Sequence, residues 1–141
     1  MNKIDTLDPE FKAKIEQLIT AIEGITDRTW IVTAGRRTMA EQSVLYSQGR
    51  MTPGNIVTKA PAGSSAHNFG LAADLASLKP GTQDIDWSDS YTGWLQMANL
   101  ATEMGLVAGM FFKSITDRPH VESADWRTVQ REWKAGKITI E

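Results

Sequence analysis

The sequence predicts one small domain that combines helices with short strands. Its 141 residues fit a single domain, and a hydrophobic content of 41% is enough for a core. There is no cysteine, so disulfides and thiolate metal sites are excluded. Apolar residues recur at helical spacing in some segments, whereas other short runs are rich in β-branched and aromatic residues.

Four helices are predicted. Asp8 suits the N-cap of the first, and Gly24 is expected to end it. Thr38 and Glu41 have the spacing of a capping box, which predicts a second helix that stops before Gly49. Two further helices are predicted over residues 90–104 and 124–134.

Three strands are predicted, over residues 30–33, 70–76 and 106–112. In the second strand Asp74 shares a face with Gly70 and Ala72, because alternate residues point the same way. A lone aspartate among such small side chains is costly to bury unless it is paired or bound to a metal. A long loop rich in glycine and proline, residues 49–65, leads into this strand.

Charge and hydropathy exclude several classes of partner. The net charge is -2 and no basic block is present, so no nucleic-acid partner is expected. No apolar run approaches the roughly 20 residues of a membrane span, so no membrane insertion is expected. The polar loop 79–89 contains three aspartates; it is interpreted as solvated, and a regulatory cation there remains an alternative.

Two histidines and an aspartate predict a zinc site. His67 precedes Asp74 by seven residues, and the second histidine is His120. All three are zinc ligands at neutral pH. Pro119 biases the residue before it to an extended path with three residues per turn, which would place Asp117 and His120 on the same side.

This set of residues contains the parts that amide hydrolysis requires. Three protein ligands leave a zinc position open, and a zinc ion there polarises a carbonyl and activates water. A nearby carboxylate transfers the proton, and an arginine can stabilise the oxyanion. Arg37 lies at a predicted strand-to-helix corner, where a lone arginine is more often simply solvated. The alternative is two ordinary histidines that never meet in space.

Three motifs resemble, in the same order, those of zinc peptidases typified by VanY-type D-Ala-D-Ala carboxypeptidases and phage L-alanyl-D-glutamate endolysins. The most specific is the middle one, Ser65-x-His67-x-x-Gly70-x-Ala72-x-Asp74. The outer two are Thr33-Ala34-Gly35-Arg36-Arg37-Thr38, followed by Gln42, and Asp117-x-Pro119-His120-x-Glu122. An aspartate at 117, where the carboxypeptidase and dipeptidase branches tend to use glutamate, favours the endolysin branch.

The resemblance implies a role for each residue. The implied zinc ligands are His67, Asp74 and His120. It implies Asp117 as general base and acid, Arg37 as the group that polarises the substrate carbonyl and stabilises the oxyanion, and Ser65 as a substrate-binding residue. The implied fold class is a small α+β domain, with a central antiparallel sheet that carries the zinc site and helices packed around it.

The expected function is hydrolysis of the L-alanyl-D-glutamate bond of peptidoglycan stem peptides by a phage endolysin. Residues 1–141 are expected to form a single zinc peptidase domain without a separate wall-binding domain, and to act as a monomer. Because no signal peptide is recognised, synthesis in the host cytoplasm and later release to the wall are expected. Two alternatives remain: a D-Ala-D-Ala carboxypeptidase or dipeptidase, and a non-catalytic, zinc-stabilised wall-binding module.

Overall fold

A four-stranded antiparallel sheet is the framework of the site. The computed structural model describes residues 1–140. The strands are β1 (Trp30–Ala34), β2 (Ala72–Ser77), β3 (Val107–Ala108) and β4 (His120–Glu122). Their order across the sheet is β1-β2-β4-β3, and every neighbouring pair is antiparallel. The predicted α+β class with a central antiparallel sheet is confirmed.

Helices cover this sheet and hold the segment before β2. The α-helices are α1 (Pro9–Thr26), α2 (Met39–Ser47), α3 (Gly93–Glu103) and α4 (Trp126–Lys134). Helices α1 and α3 pack on each other, and Trp94 of α3 meets Trp30 of β1 edge to face, with ring centroids 6.0 Å apart. Helix α4 contacts the short 3-10 turn Ala66–Phe69. Within residues 1–140, no helix has the length and apolar character that crossing a bilayer requires.

The helix starts predicted from Asp8 and Thr38 are confirmed, and one predicted end is wrong. Helices α3 and α4 begin three and two residues later than predicted. Asp8 caps α1 by accepting a hydrogen bond from a backbone N–H of the first turn, and the capping box at the start of α2 is complete. Helix α1 does not end at Gly24; it continues to Thr26 and closes on Asp27, whose φ is 54°. Aspartate tolerates this left-handed conformation. The buried face, which includes Ile22, outweighs the cost of about 1 kcal/mol for a glycine inside a helix.

The predicted strand over 106–112 is also wrong beyond its first residues. Strand β3 holds two residues, and Gly109–Phe111 forms a 3-10 turn. The carbonyl of Gly109 accepts hydrogen bonds from the backbone N–H of Phe112 and of Asp117, so the chain folds back here. Strand β2 likewise starts two residues later than predicted, because Gly70 adopts a φ of 71° and closes the preceding turn.

One aspartate of the 79–89 loop is used in a salt bridge. Asp86 binds Arg28 with an N–O distance of 2.8 Å, and its side chain is only 12% exposed. Hydrogen bonds from Arg28 and from Ser88 lower the pKa of Asp86 to about 2. Of the residues that the structure describes, none in this loop belongs to a group of acids close enough to share a metal ion.

Replacing Asp86 with asparagine should lower the free energy of unfolding at pH 7 by about 1–2 kcal/mol, because a hydrogen bond to a charged group is lost. The pKa of Asp86 is lower in the folded than in the unfolded state. The parent should therefore be more stable than the variant above the unfolded pKa of about 3.9, and this difference in free energy of unfolding should disappear as the pH falls through about 2. Urea unfolding of the parent and of Asp86→Asn between pH 7 and pH 2 measures this difference in stability. Asp84→Asn, on an exposed side chain of the same loop, is the control. A difference that persists unchanged at pH 2 would contradict this assignment.

Candidate metal centre

The fold brings the three predicted zinc ligands together. Asp74 of β2 lies directly opposite His120 of β4 in the strand register. His67 belongs to the 3-10 turn that immediately precedes β2. One donor atom from each of the three lies within 4.8 Å of the other two. Their role as metal ligands stays a prediction, but the proximity on which it depends is present.

The geometry of these donor atoms fits a tetrahedral metal ion. Asp74 Oδ1 lies 3.4 Å from His67 Nε2 and 3.5 Å from His120 Nδ1. With zinc–ligand bonds of about 2.0–2.1 Å, tetrahedral ligand atoms lie about 3.3 Å apart. Both distances are too long for a charge-assisted hydrogen bond, and Asp74 Oδ1 is buried without a hydrogen-bond partner. A buried carboxylate oxygen of this kind is costly unless it binds a cation.

The orientation of His67 is fixed by its other ring nitrogen. Nδ1 lies 2.8 Å from the carbonyl oxygen of Gly35 and donates a hydrogen bond to it, which leaves Nε2 with its lone pair toward Asp74. The hydroxyl of Ser65 accepts a hydrogen bond from the backbone N–H of His67 and so caps the turn. The sequence motif places Gly35 near Arg37, but nothing in the sequence shows that its carbonyl orients a histidine.

In His120 the roles of the two ring nitrogens are reversed. Its Nε2 donates a hydrogen bond of 2.6 Å to Glu122, and its Nδ1 faces Asp74. The other oxygen of Glu122 accepts a hydrogen bond of 2.8 Å from the indole N–H of Trp126. Sequence reasoning placed Glu122 in the motif but assigned it no role. The available signal is its position two residues after His120 in a strand, which puts both side chains on one face.

Glu122→Gln should weaken metal binding about 10- to 100-fold, because the partner that orients a ligating histidine and raises its basicity is then neutral. Zinc affinity measured by competition with a chromogenic chelator is the readout. Glu103→Gln, on α3, is the control and should leave the affinity unchanged. An unchanged zinc affinity in Glu122→Gln would contradict this role.

The charges at the site are strongly coupled. Burial raises the pKa of Asp74, but the neighbouring His120 and His67 outweigh it and hold that pKa well below its usual range. Burial lowers the pKa of His120, but Asp74 and Glu122 outweigh it and raise that pKa to about 9. A divalent cation held by these residues would supply positive charge in place of a proton on His120.

Asp117 lies beside the ligands without belonging to their set. Its Oδ2 is 3.9 Å from His120 Nδ1, and 46% of its side chain is exposed. Burial, and then the nearby carboxylate of Asp74, raise its pKa. The predicted extended path was wrong: the N–H of His120 donates to the carbonyl of Asp117, so residues 117–120 form a tight turn. The turn nevertheless brings Asp117 and His120 side by side, as the prediction required.

Gly109 lets this turn approach the sheet. A Cβ atom at that position would lie 2.6 Å from the carbonyl oxygen of Asp117 and 2.8 Å from the Cβ of His120. Backbone and Cβ atoms cannot yield as a flexible side chain does. Any larger residue at 109 therefore moves the ligand-bearing turn.

Gly109→Ala should lower the free energy of unfolding by about 1–3 kcal/mol through overpacking, and should weaken metal binding as well. Chemical denaturation and zinc titration measure the two effects. Gly24→Ala is the matched control, since a Cβ there meets nothing within 4 Å and should raise stability by up to about 1 kcal/mol. Normal stability and zinc affinity in Gly109→Ala would contradict the packing argument.

The remaining predicted site residues line the same cavity. The cavity measures about 270 Å³ and includes Arg37, Ser65, His67, Asp74, Asp117 and His120 in its walls. The guanidinium of Arg37 donates to the side-chain oxygen of Gln42 at 2.9 Å. Gln42 is fully buried and donates in turn to the carbonyl of Ala60. Arg37 is thus held at the site, and is not a solvated corner residue.

Asn68 is a buried polar residue that sequence reasoning did not single out. Its amide donates to the carbonyl of Arg37 at 2.9 Å, and its oxygen accepts from the N–H of Gly63 at 3.1 Å. It therefore ties the arginine segment to the loop before His67. A fully buried asparagine beside a ligand is typical of such a positioning role, but its long-range partners are invisible in the sequence.

The chain is similar to known peptidases. Residues 58–123 match the family described as D-alanyl-D-alanine carboxypeptidase. Over 99 residues the chain is 40% identical to the peptidoglycan L-alanyl-D-glutamate endopeptidase CwlK of Bacillus subtilis (strain 168). That alignment covers 65% of this chain and 59% of the relative, so the chain spans less than two thirds of the relative's length.

Solved structures share the fold at low sequence identity. The Serratia marcescens L-Ala D-Glu endopeptidase ChiX is 20% identical, with a TM-score of 0.58 over 90% of this chain and 86% of that chain. The LD-carboxypeptidase LdcB is 17% identical, with a TM-score of 0.65 over 94% and 70%. The D,D-pentapeptidase VanY, in complex with Zn(II), is 16% identical, with a TM-score of 0.59 over 92% and 79%. Residues 58–123, the segment that matches the family described as D-alanyl-D-alanine carboxypeptidase, contain His67, Asp74, Asp117 and His120.

Proposed function

We propose that this chain is a zinc-dependent peptidoglycan endopeptidase that cleaves the L-alanyl-D-glutamate bond of stem peptides. The observation that carries the proposal is the cavity of about 270 Å³, in which the three candidate ligands, Asp117 and Arg37 meet. The bond is supported by the relative at 40% identity, whose name specifies an L-alanyl-D-glutamate endopeptidase.

The side chains of the cavity have distinct roles in this proposal. His67, Asp74 and His120 hold the zinc ion, which supplies Lewis acidity. Asp117, whose pKa is raised, takes a proton from the attacking water and returns it to the leaving amine. Arg37, held by Gln42, faces the cavity and stabilises the oxyanion that develops on the substrate carbonyl.

Ser65 is proposed to bind the substrate. It lies in the cavity wall, and its oxygen already accepts the N–H of His67. Its O–H therefore remains available as a donor to a peptide carbonyl. The same hydroxyl caps the turn, so a substitution there affects ligand placement as well as substrate binding.

The biological setting that we propose is host lysis by a phage endolysin. The support is the resemblance of the three motifs, and in particular the aspartate at 117. In this setting the enzyme acts as a monomer on the wall after release from the cytoplasm in which it is made. Loss of turbidity in suspensions of permeabilised bacteria, with and without added enzyme, tests the lytic role.

The second candidate is a carboxypeptidase that removes a terminal D-alanine with the same site. The family description and the fold shared with VanY and LdcB favour it. The two reactions release different products from one substrate, so a single digestion separates them.

The deciding experiment is mass spectrometry of purified peptidoglycan digested by the zinc-loaded protein, with and without a chelator. The proposal predicts peptides with a new D-glutamate N-terminus, formed without the chelator and not with it. Release of D-alanine alone would replace the endopeptidase assignment with a carboxypeptidase. No product from zinc-loaded protein would favour a non-catalytic wall-binding module.

A further inference from the structure

A second, larger cavity opens from the metal centre. It measures about 520 Å³ and shares Val57, Thr58 and Asp117 with the cavity that contains the candidate zinc ligands. Lys59 and Arg127 lie in its walls. We call it the cationic groove. Because the walls are shared, a substrate bound at the metal centre can continue into the groove.

Arg127 is held in position at the edge of this groove. Its guanidinium lies 4.4 Å from the centre of the Trp126 ring, and its Nη1 donates to the side-chain oxygen of Gln130. Gln130 is 6% exposed, and its amide donates to the carbonyl of Gly63 at 2.8 Å. Helix α4 is thus hydrogen-bonded to the loop that also contains Lys59.

Neither cation of the groove is neutralised by a carboxylate. Among residues 1–140, the salt bridges of lysine and arginine use Lys12, Arg28 and Arg118, and none uses Lys59 or Arg127. What distinguishes Lys59 and Arg127 is their place, since both lie in the walls of the cavity that adjoins the candidate ligands. Two of them in a groove that opens from the metal centre form a site for an anion.

We propose that the cationic groove binds a carboxylate on the leaving side of the stem peptide, with Arg127 as the main contact and Lys59 as the second. This inference rests on the proposed function. In the proposed mechanism Asp117 gives its proton to the leaving amine, so the leaving portion of the substrate starts next to Asp117. Asp117 also lines the groove. D-glutamate has two carboxyl groups and continues the peptide through one of them. The other is a free carboxylate on the first residue of the leaving portion.

The test uses synthetic stem peptides that differ by one charge. In the first peptide the carboxylate of D-glutamate is free. In the second peptide this carboxylate is replaced by an amide. In the third peptide the D-glutamate carboxylate is free and the carboxylate of the next residue is replaced by an amide. In the parent, the amide at the recognised position should raise KM about 10- to 100-fold with little change in kcat, since a charge-assisted hydrogen bond is lost. Arg127→Gln should have a high KM for the acidic peptide and should no longer distinguish it from the amide.

Arg131→Gln is the matched control. Arg131 is exposed on the same helix, one turn after Arg127, and its guanidinium donates to the hydroxyl of Thr128. This variant should keep the parent's discrimination. Lys59→Gln should reduce the discrimination by a smaller factor than Arg127→Gln does. Zinc content of each variant shows that the metal centre is intact.

The outcomes separate the two proposals. Equal KM for all three peptides in the parent would overturn the groove assignment and leave the endopeptidase function standing. A penalty for the amide that persists in Arg127→Gln and in Lys59→Gln would also overturn it. A penalty confined to the third peptide would identify the next residue's carboxylate as the one bound. Failure of the zinc-loaded parent to cut any peptide at the L-alanyl-D-glutamate bond would overturn the proposed function and the groove assignment together.

Discussion

Asp117→Asn should lower kcat by about 10²- to 10⁴-fold on peptidoglycan while zinc stays bound. Asparagine has nearly the same shape, so the turn of residues 117–120 is kept, but it cannot take a proton from water. Asp117 Oδ2 lies 3.9 Å from His120 Nδ1 and outside the group of three ligand atoms, so the metal does not depend on it. Product release by mass spectrometry and zinc content by atomic absorption give the two readouts from one preparation.

Asp89→Asn is the control for this variant. Asp89 lies in a neighbouring cleft that Asp117 also lines, but it is exposed and pairs with Arg118. Its loss should leave kcat within a factor of about two, as expected for an exposed ion pair. If Asp117→Asn digests peptidoglycan as fast as the parent, Asp117 is not the general base. If the variant loses its zinc, the measured loss of activity has a different cause and the proposed division of roles is wrong.

The features that the sequence predicted well are local. Helices α1 and α2 start with capping hydrogen bonds made by Asp8, Thr38 and Glu41. Because these hydrogen bonds join residues three positions apart, the local sequence is enough to predict them. The spacing of His67 and Asp74 places one candidate ligand in a turn and the other in the following strand. Within such short distances along the chain, residue type and backbone preference decide the structure.

The features that the sequence did not predict depend on contacts between distant segments. Helix α1, which packs on α3, passes through Gly24 and ends at Thr26, although its last buried residue is Ile22. The predicted strand over 106–112 is cut short because the carbonyl of Gly109 binds the turn at Asp117. The hydrogen bond between Gln130 and Gly63 joins residues 67 positions apart, and no local pattern marks it. Such contacts position the second cavity as well as the first.

The candidate ligands could be predicted from the sequence, whereas the groups that orient them could not. The candidate ligand histidines stand out because the chain has two histidines in all. The groups that orient them are the carbonyl of Gly35 and the carboxylate of Glu122. Carbonyls and glutamates are common, so residue type alone does not single these two out. One histidine is therefore expected to offer Nε2 and the other Nδ1, a distinction that requires the three-dimensional structure.

Asp74→Asn should remove the metal and, with it, the response of the protein's stability to zinc. The carboxylate oxygen of Asp74 is the atom that faces both histidines, and a neutral amide oxygen is a much weaker ligand. In the parent, zinc at 100 to 1,000 times its Kd should raise the free energy of unfolding by about 3–4 kcal/mol, because it binds the folded state. In Asp74→Asn the thermal transition should be the same with zinc and with a chelator.

His67→Ala and His120→Ala should give the same result, with zinc content reduced to background after dialysis. Asp84→Asn, whose side chain is exposed and does not belong to the group of candidate ligands, should keep the zinc and the full zinc-dependent shift. Retention of stoichiometric zinc by all three ligand variants would refute the assignment of the metal centre. Loss of zinc in one histidine variant but not in Asp74→Asn would show that the carboxylate faces the histidines without binding the ion.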